Sequence, residues 1–243
     1  MDVSAIERAA ATAWPAAETE ILGEWVLSAG DGFSRRRNSA VPIGVIANNA
    51  GERVDEVVSW YRERGITPRF RITPMCDREI DDLLEERGFV LEDPVLVMTR
   101  SLEHAETPPG IVEKVRATDD WIEAELNALD IDRSLISPWL DTLSTTPSPV
   151  VFTTATERGS TVGAGFGVVV DDLLGSFELA VEPKHRRKGH ATRLMDAIHA
   201  FGRRNGAQHG FLQVVEENHA AVALYTALGY DTVYRYWYRV NNA

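Results

Sequence analysis

The stretch that most restricts what this chain can fold into is Arg186-Arg187-Lys188-Gly189-His190-Ala191. It joins a strand-like run, Phe177 to Val181, to a long amphipathic helix expected from Ala191 to Arg204. A strand, a basic turn and a helix in direct succession commit this region to layered α/β structure. They also build a place for phosphate. The first N–H groups of a helix have no partner inside it and carry partial positive charge, so they attract anions. Gly189 lets the backbone approach a ligand, and the small Ala191 keeps the helix entrance clear.

Composition sets the outer bounds. The 243 residues, 44% of them apolar, allow one large or two small domains with a real core. The formal net charge of −12 argues against non-specific nucleic-acid binding, which needs basic surface. It leaves room for an anionic cofactor, because the cations of Lys184 to Lys188 are clustered. Cys76, the single cysteine, excludes an intrachain disulfide framework and reads as a free thiol. No 18-residue apolar run predicts a membrane span, and Met1-Asp2-Val3-Ser4 does not open a signal peptide, so a cytoplasmic protein is expected. The histidines show no spacing that suggests a metal site.

The chain reads as two related halves. Glu103 to Gly110, with two prolines and a glycine, reads as a linker, giving expected domains at 1–105 and 106–243. Leu83-Leu84-Glu85-Glu86-Arg87-Gly88-Phe89 mirrors Leu224-Tyr225-Thr226-Ala227-Leu228-Gly229-Tyr230 at an offset of 141 residues. The same offset lays Gly65 on Gly206, Trp60 on Phe201, and the helical run Val54 to Tyr61 on Met195 to Gly202. A constant offset across two helices indicates a tandem duplication. In the first copy Val45 to Ala50 stands opposite the basic turn and Leu84 opposite Tyr225, so that copy has lost the chemistry. Its expected role is support. Alternatively it walls the substrate cleft, with Arg35-Arg36-Arg37, after the turn-like Gly30 to Phe33, presenting cations to an acidic substrate.

In the second half, strands are expected at Ile111 to Val115, Val150 to Thr156, Thr161 to Val170, Leu173 to Val181, His209 to Val215, Tyr230 to Val233 and Arg235 to Val240. Helices are expected at Asp119 to Leu129, capped by Thr118, at Arg133 to Leu143, at Ala191 to Arg204, and at Asn218 to Leu228 with Gly229 as the stop. This order predicts a mixed sheet with helices on both faces.

Val181-Glu182-Pro183 followed by Arg186-x-x-Gly189-x-Ala191 resembles the acetyl-CoA signature of the GCN5-related N-acetyltransferases, the GNAT superfamily. Asn218-x-x-Ala221-x-x-Leu224-Tyr225-x-x-Leu228-Gly229-Tyr230 is similar to that superfamily's second motif. The resemblance covers roughly residues 110 to 243 and implies a GNAT fold there, with a shortened, degenerate GNAT-like first half. It implies that Arg186, Arg187, Lys188, Gly189, His190, Ala191 and Thr192 hold the pyrophosphate of acetyl-CoA. It further implies that Leu179, Ala180 and Val181 pair with the pantetheine arm, that a main-chain N–H near Val181 meets the thioester oxygen, and that Asn218 contacts the arm as well as capping its helix. Tyr225 matches the superfamily's tyrosine. With an ordinary pKa of about 10 it holds a proton that it can give to the departing thiolate.

Glu178 is the candidate general base. An isolated glutamate inside a central strand is odd unless it lines a cleft, where it can take a proton directly or through a water. The expected activity is acetyl transfer to the primary amine of a small molecule, such as an amino acid or related metabolite, by direct attack in a ternary complex. The protein would act as a monomer or homodimer. The layout also resembles that of mycothiol synthases. Protein N-terminal or lysine acetylation, or acetyl-CoA sensing without turnover, are the alternatives.

Overall fold

A computed structural model describes residues 2–30, 34–43, 49–103, 106–129 and 136–241, apart from the side chain of Pro138. In the first half, α1 (Val3–Ala13) precedes β1 (Glu18–Leu22), β2 (Trp25–Ala29) and β3 (Ala40–Pro42), with one 3-10 turn at Arg35–Arg37 between the last two. Then come α2 (Ala50–Glu63), β4 (Arg69–Ile72), α3 (Arg78–Glu86) and β5 (Val90–Ser101). The second half runs β6 (Ile111–Lys114), α4 (Asp119–Leu129), α5 (Ile136–Ser144), β7 (Val150–Glu157), β8 (Ser160–Val170), β9 (Leu173–Val181), α6 (His190–Arg204), β10 (His209–Val215), α7 (His219–Ala227) and β11 (Asp231–Val240). The expected mixed α/β architecture is what the chain adopts.

The described strands form one eleven-stranded sheet in the order β1-β2-β3-β4-β11-β5-β10-β9-β8-β7-β6. The sheet therefore crosses the 105/106 boundary without a break. The crossing is made by exchange. β5 lies antiparallel between β10 and β11, and β11 lies antiparallel between β4 and β5. Val95 pairs with Tyr236, 141 positions away, so each strand meets its own repeat equivalent at the centre of the ladder. The helix stops repeat as well. Gly65 and Gly206 are both left-handed (φ 67° and 91°), as are Gly88 and Gly229 (φ 82° and 80°). Ile66 N–H donates to Tyr61 O as Ala207 does to Gly202 O, and Phe89 to Leu84 O as Tyr230 does to Tyr225 O. Only glycine takes up that conformation at no steric cost, which is why these residues survive in both copies.

Local chemistry explains the elements around the site. Thr118 caps α4 through its Oγ1 and carbonyl, and Trp121 and Ala124 then turn into the core. β8 is buried along most of its length. Ala164, Phe166 and Val168 face α4 and the start of the chain, while Gly163, Gly165 and Gly167 face α6. A Cβ on Gly167 would sit 2.6 Å from Ile198 Cγ2, so the missing side chains let α6 lie directly on the sheet. α1 packs across β8 and β9 of the other half, burying Ile6, Ala9 and Ala10. Full burial of one such isoleucine is worth about 1.5–3 kcal/mol.

Two expectations need adjustment. The two terminal strands are one, because register shifts at Thr232/Tyr234 and Tyr236/Tyr238 absorb the irregularity as bulges instead of ending the ladder. The helix expected at Arg133 to Leu143 is seen as Ile136–Ser144, with 133–135 outside the described residues. Also outside are His104 and Ala105 of the linker, Asp31 to Phe33, and Val45 to Asn48 opposite the basic turn.

Candidate active site

β9 and β10 run parallel only from His209↔Leu173 to Phe211↔Gly175, and then part. The departure has a local cause. Glu178 takes a positive φ of 47°, and the β8–β9 register shifts opposite it, between Ala164 and Phe166. This is a bulge, which re-aims a strand. Beyond it the edge of β9 facing β10 is unpaired. Glu182 N–H donates to Val162 O on β8, so by alternation the N–H groups of Val181 and Leu179 point the other way, into the gap.

The basic turn closes one end of that gap. Arg187 (φ 62°) and Gly189 (φ 78°) are both left-handed. Gly189 is the N-cap of α6 and offers no side-chain bond to it, so the amides of His190, Ala191 and Thr192 remain available to an anion. A Cβ built on Gly189 meets nothing within 4 Å, so it borders open space. The resulting cleft, about 640 Å³, is lined by Leu179, Ala180, Val181, Arg186, Arg187, Gly189, His190, Ala191, Thr192, Asn218 and Tyr225, joined by Ala220, Ala221, Ala223 and Leu224 of α7. α7 is apolar yet has no fully buried residue, because this alanine-rich face borders the cleft. An apolar arm ending in a diphosphate fits such a wall.

Individual side chains divide their duties. Asn218 Oδ1 accepts from Ala221 N–H at 3.1 Å, so it caps α7 while lining the cleft. Lys188 turns away to Glu157, with Nζ 3.0 Å from Oε2, and is not among the lining residues. The Arg186 guanidinium holds the carbonyls of Val181 and Ala128, tying the end of β9 to α4. The ring of His190 is buried, and its backbone is what reaches the cleft.

Glu157, His185 and His190 bring three metal-type ligand atoms within 4.8 Å of one another. Their surroundings are cationic. Arg193 donates to Nδ1 of His190 at 2.7 Å, which places that ring's proton on Nε2, while Lys188 and His185 engage the carboxylate. Those contacts pull the Glu157 carboxyl down to about 2. A liganding His wants an acceptor behind it, and this one has a donor.

Beyond Tyr225 the cleft opens into a second cavity of about 480 Å³. Its walls include Ser176, Phe177, Glu178, Gln213, Tyr225, Tyr236 and Tyr238, and, from the start of the chain, Trp14, Arg35 and Arg36. The first half thus contributes to the wall. Burial and the charge of Glu178 push the Tyr225 hydroxyl up to about 12, so it is protonated at neutral pH. Glu178 and Tyr225 therefore line the same cavity.

Reading the sequence missed Glu125. It is fully buried on α4, with neither carboxyl oxygen hydrogen-bonded. Burial and then repulsion from Glu178 push its carboxyl well above the usual range. The available signal was a charged residue amid the otherwise core-facing Trp121, Ala124 and Ala128 of an amphipathic helix. Trp14 was missed too, because its place depends on α1 crossing to the other half.

Comparisons with known proteins bear on the family and the fold. Residues 1–239 match the family described as "Probable histone acetyltransferase Rv0428c C-terminal". The chain is 27% identical over 248 residues to the uncharacterized N-acetyltransferase YobR of Bacillus subtilis, covering 98% of each. It is 30% identical over 139 residues to the probable histone acetyltransferase Rv0428c of Mycobacterium tuberculosis, 57% of this chain and 43% of that one. Among solved structures, a GCN5-related N-acetyltransferase from Kribbella flavida superposes with TM-score 0.72 over 100% of this chain and 97% of that one, at 15% identity. A tandem GNAT protein from the clavulanic acid biosynthesis pathway gives 0.63 over 83% and 75%, at 13% identity.

Proposed function

From the premise that the chain belongs to the Rv0428c C-terminal family of GCN5-related N-acetyltransferases, and is an acetyltransferase, we propose that it moves an acetyl group from acetyl-CoA to the primary amine of a small molecule. The observation that carries this reading is the parting of β9 from β10 at Glu178, with open helix amides at one end and Tyr225 between the two cavities.

Bound acetyl-CoA supplies the activated acetyl group. The amides of His190, Ala191 and Thr192 hold a diphosphate, and the free edge of β9 takes an extended amide-bearing arm. Val181 N–H is oriented to donate to an oxygen gathering negative charge. Glu178 accepts a proton from the incoming ammonium, leaving the neutral amine as nucleophile. Tyr225 gives its proton to the departing sulfur, and the second proton of the attacking nitrogen, shed as the amide forms, restores the tyrosine. Both groups line the acceptor cavity, so direct attack in a ternary complex needs no covalent relay through the protein. The test is free-thiol release from acetyl-CoA with a panel of small amines. Tight coenzyme A binding with no thiol release for any amine would leave a sensor instead.

One observation favours a second reading, acetylation of a basic protein tail. The net charge of −12 would draw in lysine-rich segments, and the Mycobacterium tuberculosis relative is described as a probable histone acetyltransferase. A lysine-rich peptide in the same panel separates the two.

A further inference from the structure

We infer that the acceptor carries a carboxylate as well as an amine, and that Arg36 is the group that reads it; this rests on the acetyltransferase reading above. Three buried or half-buried arginines gather where the first half meets the acceptor cavity. Arg71 is paired with Glu7 at 2.6 Å. Arg37 donates to Pro15 O and Thr142 Oγ1. Arg36 differs. Its guanidinium lies 5.4 Å from the Phe177 ring centroid and 5.9 Å from that of Trp14, and one nitrogen donates to Ala10 O at 3.1 Å. No carboxylate pairs with it among the described residues, yet it lines the cavity that holds Glu178.

A partly desolvated guanidinium needs a counter-charge, and a cavity-lining one can take it from a ligand. Its surroundings sharpen the point. Burial above all disfavours its charge and Arg71 repels it, while the carboxylate of Glu7, shared with Arg71, acts in its favour. A single guanidinium on the cavity wall, with one nitrogen already engaged, suits a single carboxylate better than a phosphate dianion. With Glu178 on the same wall to receive the ammonium, the cavity has the two-signed polarity of an amino acid. Phe177 and Trp14 lie within cation–π distance of the guanidinium, which limits the freedom lost on binding.

The experiment measures kcat/KM by thiol release for matched pairs of amines, each an amino acid and its neutral carboxamide, together with a lysine-rich peptide. Binding of the same pairs to the coenzyme A-loaded protein is measured by calorimetry. The acid should be preferred by about tenfold to a hundredfold, the range of a charge-assisted hydrogen bond. Arg36→Gln should bring the acid-to-amide ratio close to one, and Arg36→Lys should retain part of it. Circular dichroism of both variants checks the fold. An acid-to-amide ratio near one in the wild type, or one unchanged in a folded Arg36→Gln, overturns the inference and leaves the acetyltransferase reading standing. Preference for the peptide does the same. Absence of thiol release with every amine overturns the acetyltransferase reading, and the calorimetric ratio then decides on Arg36 by itself.

Discussion

Glu125 and Glu178 repel one another from adjoining elements, α4 and the bulge of β9, and the buried member keeps its proton. A carboxyl whose folded pKa is raised stabilises the fold fully below its unfolded value of about 4.3 and loses that contribution as pH rises. Wild-type melting temperature should therefore fall between pH 5 and 8 more steeply than that of Glu125→Gln, whose side chain cannot ionise. Parallel calorimetric curves would show that Glu125 does not hold a proton.

Tyr225 is held protonated by burial and by Glu178, with its hydroxyl at about 12. Tyr225→Phe should lower kcat about a hundredfold, within the range of general acid catalysis. Coenzyme A affinity by calorimetry should change by less than about twofold, since the ring and its contact with Tyr230 remain. Unaltered turnover would remove Tyr225 from the mechanism.

Glu178→Gln takes away the carboxylate that shares the cavity with Tyr225. An α-amine titrates near 7.7–8.0 on its own, so the variant's rate should track deprotonation of the free amine. The pH optimum should move upward, and the loss should be greatest below pH 7. A pH profile superposable on the wild type counts against the role.

Gly189 and Gly229 have nearly the same left-handed φ, 78° and 80°, and neither Cβ would meet a neighbour. Valine at either position should cost about 1–2 kcal/mol of stability through the backbone. Only Gly189→Val places methyl groups in the cleft, so only it should weaken coenzyme A binding, by at least about tenfold. Equal affinities for the two variants would place the diphosphate elsewhere.

A chain of residues 106–243 keeps β10 and β11 but loses β5 from between them and β4 from beyond β11. It should be insoluble or lack a cooperative melt, and co-expressed 1–105 should restore both. A soluble fragment with a sharp transition would show that the exchange is dispensable.

The strand, basic turn and helix start that border the larger cleft were legible because they are local, within about twenty residues from Phe177 to Ile198. The repeat was legible for the same reason, through glycine stops at a fixed spacing. The acceptor side was legible in part: Arg35 to Arg37 and Glu178 read as cleft-lining, and Arg35, Arg36 and Glu178 do line the second cavity. That Arg36 and Trp14 would stand beside Phe177 follows from α1 crossing to β8 and β9, a long-range packing no periodicity announces. Nor does any pattern announce a left-handed glutamate at Glu178, since that residue type rarely takes such a conformation.

The lodging of β5 inside the other half's ladder constrains descent as well as shape. The first copy can differ from the second at the basic turn and at Leu84, opposite Tyr225, without disturbing that strand exchange. Deleting that copy would disturb it, because its final segment is a shared beam. A gene of this design can let one repeat drift in sequence while being obliged to keep the strand it lends to the other.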